Sequence, residues 1–370
     1  MMDKIHMVDL LGQYKKIKDD VDKAILDVIE STAFINGPQV KQLNSELSEY
    51  LGCKHSICCA NGTDALQIAL MALGLKPGDE VIVPDFTFIA TAEVIALLGL
   101  KPVFVDICPE TYVLDTGKLL NALSPKTKAV IPVHLYGQCA NMEEIMGIAN
   151  NHGIYIIEDN AQAFGAETKV KGVMQKAGTI GHIGCSSFFP SKNLGCFGDG
   201  GALFTNDEKL AEKIACIANH GARVKYFHER VGLNSRLDTL QAAILLVKLS
   251  KIDEYISARQ QAAEKYDFLL GSIEQIKVPV RAAYSTHVFH QYTIQAKNRN
   301  ELQKFLAEKN IPTMIYYPAG MHNQEAYKTA GNFPVSEMLC KSVLSLPMHT
   351  ELSIGQQEYI AKSIKEFYNK

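Results

Sequence analysis

Glu80-Val81-Ile82-Val83-Pro84-Asp85-Phe86-Thr87-Phe88-Ile89-Ala90 opens the stretch on which the fold turns. It reads as a short apolar strand, a turn and the start of a helix over 90–98. Pro102-Val103-Phe104-Val105-Asp106 is then the next strand. A strand that is apolar at successive positions, not at alternate ones, has both faces covered. The pattern repeats outward. Upstream, Ser56-Ile57-Cys58-Cys59-Ala60 runs into Asn61-Gly62-Thr63-Asp64 and a helix over 65–73. Downstream come a strand over 127–133, a helix over 142–151 and the strand Ile154-Tyr155-Ile156-Ile157, which ends in Glu158-Asp159. Alternating strands and helices predict an α/β fold: a mostly parallel sheet, covered on both faces, with ligands at the carboxyl ends of its strands.

The flanks complete the plan. Residues 14–31 and 40–51 read as helices, 201–205 as a strand and 207–218 as a helix. Residues 220–236 are irregular and charged, and long for a plain loop, which suits a functional or interface segment. A buried apolar helix over 238–249 and a long one over 254–270 follow. After them come isolated strands (276–280, 290–295) and helices (300–308, 336–342, 354–367), as in a smaller α+β unit. The expected division is a large domain of residues 1–250 and a small carboxyl-terminal domain of residues 251–370.

Composition narrows the function. Of 370 residues, 47% are hydrophobic and 21% charged, as in a soluble globular protein. A net charge of −3 gives no basic surface for nucleic acid or for a membrane. The nine cysteines include no Cys-x-x-Cys pair, which suits reduced thiols better than disulfides or a metal site. Met1–His6 lack the apolar core of a signal peptide, and no apolar run reaches membrane-spanning length. A cytoplasmic protein is expected.

One lysine stands out, in Ser186-Ser187-Phe188-Phe189-Pro190-Ser191-Lys192-Asn193-Leu194-Gly195, ahead of Gly198-Asp199-Gly200-Gly201. A lysine in a turn ordinarily faces solvent. Here Phe188 and Phe189 favour burial, and the glycines allow a flat ligand or backbone to approach. A desolvated lysine loses its proton more readily and attacks carbonyls. Each companion signal has an ordinary reading as well. Thr63 is either a helix cap or part of an anion site at a helix start. Asp159 is either a cap or ion-pair partner, or a carboxylate holding a proton on a ligand cation, with Gln162 in reach of the same ligand. Together an anion site, an aromatic face, a carboxylate and a lysine nucleophile meet the needs of pyridoxal 5'-phosphate.

Gly62-Thr63-Asp64-Ala65-Leu66, residues 85–92, Pro132-Val133-His134-Leu135-Tyr136-Gly137-Gln138, Glu158-Asp159-Asn160-Ala161-Gln162, Ser187–Lys192, residues 234–243 and Leu346-Pro347-Met348-His349 resemble the DegT/DnrJ family of sugar-nucleotide aminotransferases along essentially the whole chain. The resemblance implies fold-type I of the pyridoxal phosphate enzymes and a homodimer with its sites at the subunit interface. It implies that Lys192 forms a Schiff base with the cofactor and shuttles the substrate proton. Asp159 would hold the pyridinium nitrogen, Gln162 would lie near the phenolic oxygen, and Phe88 would stack on the ring. Gly62, Thr63 and Ser187 would cradle the phosphate, with Asn234 reaching in from the partner subunit. Arg236, Tyr316, Tyr317 and His322 would meet the substrate. A histidine at the lysine position marks the family's dehydratases; Lys192 implies transamination, with L-glutamate as amino donor. The chain departs from the family pattern at Tyr316-Tyr317-Pro318, where His-Tyr-Pro is frequent, at Ala319-Gly320-Met321-His322 and at Asn160, all near the substrate mouth.

Gly137-Gln138-Cys139-Ala140 and the lysine turn look most like enzymes that aminate the 3-oxo position of UDP-2-acetamido-2-deoxy-hexuluronate for surface polysaccharide such as lipopolysaccharide O-antigen. An alternative is a C3 or C4 aminotransferase of a dTDP- or UDP-linked 6-deoxy keto sugar. A different class is a catalytically silent aminotransferase-like binding or regulatory protein. A nicotinamide oxidoreductase would need Gly-x-Gly-x-x-Gly, which Asn61-Gly62-Thr63-Asp64 does not supply.

Overall fold

The computed structural model describes residues 4–369, so Met1–Asp3 of the amino-terminal stretch lie outside the described residues. Two helices, Leu10–Lys16 and Lys18–Ser31, stand where one was expected, and Pro38–Leu51 follows. The strands come in the order β1 (His55–Cys59), β2 (Glu80–Pro84), β3 (Lys101–Val105), β4 (Thr127–Val130), β5 (Tyr155–Asp159), a hairpin of β6 (Glu167–Val170) and β7 (Val173–Lys176), then β8 (Ile183–Ser187) and β9 (Gly201–Thr205). Seven of them form one sheet in the order β1-β9-β8-β5-β4-β2-β3. All neighbours from β3 to β8 pair in parallel, while β9 pairs antiparallel with both β8 and β1. One strand thus runs against six, in keeping with the expected mostly parallel sheet.

Burial explains the apolar runs. Val81 and Val83 of β2 join a core with helices Gly62–Leu73 and Ala90–Leu97. Ile82, between them, joins a core on the other face with Val130 and helix Met142–His152. Alternate residues of one strand are buried on opposite sides, so apolar residues fill successive positions in the middle of the strand.

Strand β8 was not anticipated. It returns directly as β9, with Ser187 opposite Gly201, so the lysine turn connects an antiparallel pair. The irregular segment 220–236 contains a short hairpin, β10 (Ala222–Val224) and β11 (Phe227–His228), whose Tyr226 and Phe227 are exposed, as is Val231 just after it.

Past helices Thr239–Leu249 and Ile252–Leu270, a second sheet forms from β12 (Ile276–Lys277), β13 (Tyr292–Ala296) and β14 (Val343–Leu346), all antiparallel with β13 in the centre. It encloses its own core, around Tyr266, Tyr292, Leu302 and Ile360, which Ile5 joins from the amino-terminal segment. Among the described residues no helix is long and apolar enough to cross a membrane. All nine cysteines carry free thiols.

Candidate active site

The carboxyl ends of β2, β4, β5 and β8 meet at a cavity of about 680 Å³. Thr87, Phe88, Val133, Asp159, Ser187 and Lys192 line it, with Tyr316 and Tyr317 from the carboxyl-terminal part of the chain.

Asp159 is the last residue of β5 and is buried. Its Oδ2 accepts a hydrogen bond from Thr91 Oγ1 at 2.9 Å, and Oδ1 accepts one from the Ala161 amide at 3.2 Å. Burial pushes its carboxyl pKa up; Thr91, the Ala161 amide and the Lys192 ammonium act against that. A carboxylate held in this way gains from any cationic group a ligand brings.

Its neighbour Glu158 points to the other face of the sheet. Its two oxygens accept from the amides of Gly178, Ile180 and Gly181 at 2.8, 2.7 and 2.6 Å. His134 completes the set. Its Nδ1 accepts from the Ala140 amide, so the ring proton sits on Nε2 and is donated to Glu158 at 2.9 Å. The strand end that delivers Asp159 is therefore fixed from behind.

Lys192 sits on the β8–β9 connection, where its amide donates to the Phe189 carbonyl at 2.8 Å. Phe188–Gly200 and Cys196–Phe188 backbone bonds close the turn. Phe188 is fully buried, but Phe189, also expected inside, is exposed and lines the cavity. Burial lowers the Lys192 ammonium from 10.5 to about 8, with Asp159 working against the fall. A neutral, nucleophilic fraction of roughly a tenth is thus present at pH 7, far above that of a surface lysine.

At the start of helix Gly62–Leu73 the cap is Asn61, not Thr63: its Oδ1 accepts from the Asp64 amide at 2.8 Å. Ala65 donates to the Asn61 carbonyl. The amides of Gly62 and Thr63 and the Thr63 hydroxyl remain for a ligand at the cavity wall. A Cβ on Gly62 would lie 2.6 Å from the Ser187 Cβ, so glycine is what lets the helix start close on that serine. Amides, hydroxyls and the positive end of a helix converge here, which suits a phosphate.

Gln162 is oriented by the protein. Its Oε1 accepts from the Tyr136 amide at 2.8 Å and its Nε2 donates to Tyr317 Oη at 3.0 Å, leaving one N–H for a ligand. Phe88 is exposed into the cavity, its ring 6.3 Å from that of Tyr317.

Asn234, expected from the partner subunit, does not line the cavity of its own chain and is exposed on the segment after the β10–β11 hairpin; Arg236 does not line that cavity either. His322 is buried, and its imidazole is committed to Asp85 at 2.8 Å, so it does not face the cavity as a substrate contact. Two residues were not foreseen. Thr91, one helical turn after Thr87, holds Asp159; the i, i+4 spacing of two threonines was the available signal. His290 lines the cavity with a buried, unpartnered Nδ1. Burial and the charges of Lys192 and Arg259 push it well below the ordinary histidine range, so it is neutral.

The profile of the DegT/DnrJ/EryC1/StrS aminotransferase family matches residues 15–365. The chain belongs to this family. It is 47% identical over 97% of its length, and 99% of the relative's, to UDP-2-acetamido-2-deoxy-3-oxo-D-glucuronate aminotransferase of Pseudomonas aeruginosa. It is 43% identical to UDP-N-acetyl-3-dehydro-alpha-D-glucosamine 3-aminotransferase of Acidithiobacillus ferrooxidans, covering 98% of this chain and 97% of the other. The crystal structure of NtdA of Bacillus subtilis, with bound cofactor PMP, superposes with a TM-score of 0.93 at 30% identity, over 100% of this chain and 86% of that one. This family member is accordingly an aminotransferase of fold-type I. The donor set fits pyridoxal phosphate: a buried carboxylate with capacity left, an open helix start for the phosphate, an exposed aromatic face and a lysine of lowered pKa all bound one cavity.

Proposed function

We propose that the protein transfers the amino group of L-glutamate to the 3-oxo carbon of a UDP-linked 2-acetamido-2-deoxy sugar, the hexuluronate form first, in the making of surface polysaccharide. The observation that carries the chemistry is Lys192, lowered to about 8, sharing one cavity with Asp159. The sugar assignment is supported by the two UDP-linked 3-oxo-sugar aminotransferases at 47% and 43% identity.

Pyridoxal 5'-phosphate, when bound, supplies the aldehyde that carries the amine and the ring that accepts electrons from the substrate carbon. The residues do the rest. Lys192 Nζ would hold the cofactor and would carry the proton at the reacting carbon. Asp159 would keep the ring nitrogen protonated, and Thr91 holds Asp159 in place. Gly62, Thr63 and Ser187 would hold the phosphate, Gln162 would lie at the phenolic oxygen, and Phe88 would cover the ring. Tyr316 and Tyr317 would meet the sugar.

Lys192 is the only lysine or arginine among the described residues lining the cavity. A uronate and a diphosphate need further cations, and Arg236 of a second copy is the proposed source, beside an Asn234 that completes the phosphate site. The working unit is then a homodimer, and we place it in the cytoplasm. The division near residue 250 into a large and a small domain is supported by the separate core around Tyr292, to which Ile5 of the amino-terminal segment also contributes.

A panel assay tests this. Holoenzyme and L-glutamate are offered the UDP-linked 3-oxo hexuluronate, its 3-oxo hexosamine counterpart and dTDP-linked 6-deoxy keto sugars. The expected outcome is 2-oxoglutarate release with the UDP-linked 3-oxo sugars, fastest with the uronate, and a selective loss of the uronate rate in Arg236→Ala. Turnover confined to 6-deoxy sugars overturns the sugar assignment. Another relative, the pleiotropic regulatory protein of Geobacillus stearothermophilus, is also 47% identical over 98% of this chain and 98% of its own length, so a regulatory reading has a precedent. Protein that takes up no cofactor and releases no 2-oxoglutarate would favour it.

A further inference from the structure

The wall of the cavity contributed by Pro318, Ala319, Met321 and Gln324 belongs to a stretch with little regular structure, between cis-linked Tyr316-Tyr317 and helix Pro334–Ser342. Loose backbone at a substrate mouth needs an external hold. Asp85, directly after β2, supplies one. Its Oδ1 accepts from the His322 amide at 2.8 Å and its Oδ2 meets His322 Nδ1 at 2.8 Å, while the Asp85 carbonyl accepts from the Met321 amide at 2.9 Å. Three bonds thus fall on two successive residues. Gly320 makes the approach possible: a Cβ there would lie 2.3 Å from Asp85 Oδ2.

The imidazole is packed as well as bonded. Phe333 stacks on it at 4.5 Å and 24°, and Asn323 Nδ2 lies 2.7 Å from its Nε2. Nε2 therefore accepts, and Nδ1 carries the proton that goes to Asp85. Glu337 Oε1 is 3.5 Å from Nε2, on the exposed side. The far end of the stretch is tied separately. Asp106, just past β3, accepts from the amides of Val335 and Ser336 and from Ser336 Oγ at 3.0, 2.9 and 2.7 Å.

We infer that Asp85 and His322 are positioning residues for substrate selection: they pin Met321 and Gln324 to the end of β2, so that the sugar-nucleotide wall stands at a set distance from the cofactor site. Neither residue touches the reacting atoms. Phe88 follows Asp85 by three residues, but Asp159 and Lys192 arrive from β5 and the β8–β9 connection, while the pinned stretch supplies Pro318, Ala319, Met321 and Gln324 to the cavity wall, so loss of the pin is expected to weigh on the larger acceptor sugar more than on the amino donor. This inference rests on the aminotransferase reading above, and the test separates the two.

The two half-reactions are measured singly on holoenzyme, by the cofactor's absorbance change, for wild type, Asp85→Asn and His322→Gln. His322→Gln keeps a side-chain N–H, one bond farther from the backbone than Nδ1, and His322→Ala removes it. With L-glutamate every variant is expected to react within about threefold of wild type. With the UDP-linked 3-oxo sugar, KM is expected to rise about 10- to 100-fold in Asp85→Asn and His322→Ala, the loss of one or two buried hydrogen bonds, with kcat little changed and partial recovery in His322→Gln. Equal losses in both half-reactions, or no change in the sugar KM, overturn the inference. Should Asp85→Asn fail to fold, His322→Gln against His322→Ala still decides the matter. Absence of any reaction with glutamate in the wild type defeats the functional reading instead, and is distinguishable from both.

Discussion

Glu158 and Asp159 are adjacent on one strand, yet the molecule uses them in opposite ways. Glu158 is closed in by three amides and one imidazole. Asp159 has one hydroxyl and one amide, and its remaining capacity faces the cavity. The same division recurs at the strand ends nearer the sheet edge. Asp106 takes bonds from Val335, Ser336 and Lys118, and although burial pushes its carboxyl up, those bonds outweigh it and hold the pKa below the ordinary range. At Asp159 burial wins. The difference teaches how to tell a structural carboxylate from a chemical one in this fold: by whether its acceptor capacity is already filled, not by its burial or its place at a strand end.

The comparison breaks most sharply at its centre. Asp159→Asn is expected to lower turnover about 10²- to 10⁴-fold while the apo protein unfolds at an unchanged or slightly higher urea concentration, because the charge it removes is disfavoured by burial. A large loss of stability would put Asp159 in the same class as Glu158. Glu158→Ala should do the reverse, destabilising the fold by about 3 kcal/mol or more through four abandoned donors; urea titration of the purified variant measures it. A milder case is Asp106→Ala. Loss of the cap on helix Pro334–Ser342 should cost about 1–2 kcal/mol, and the cofactor spectrum should not move. The smallest effect sharpens the electrostatics. With the Lys192 ammonium lowered to about 8, the neutral amine is a minority at pH 7 and dominates above pH 9, so cofactor uptake by the apo protein should speed up about tenfold across that interval. Asp159 holds that pKa up, so Asp159→Asn should move the midpoint to lower pH. A midpoint that stays put would mean the two groups do not sense each other.

Much of this was legible in the residues, for stated reasons. Val81-Ile82-Val83 could be read as a doubly covered strand because both faces are buried. Lys192, Asp159, Gln162 and Phe88 share the cavity as expected because each lies at a strand end or turn whose local pattern was plain. β8 is not legible because Gly184, Ser186 and Ser187 carry no branched apolar run. The two pins are not legible because Asp85 and Asp106 find partners 237 and 230 positions away. No local spacing reports such pairs, and the family resemblance alone points His322 at the substrate. Thr63 is a reasonable cap on its residue type, whereas the residue two positions earlier does that work.

The reversed strand β9 has a consequence for how the protein is made. The phosphate cradle begins right after β1, and Cys59 of β1 lies opposite Gly201 of β9. Ser187, its other wall, is itself paired with Gly201. The two sides of the cradle are neighbours in the sheet by way of a strand that leaves the ribosome after residue 201, although the helix start also closes directly on Ser187. A nascent chain can fold β2 to β5 in sequence, but its cradle is not held in place until that late strand slots in between β1 and β8. Ribosome-held chains ending before residue 201 should capture no pyridoxal phosphate. Chains released past β9 should begin to do so, making cofactor uptake a late checkpoint in the protein's synthesis.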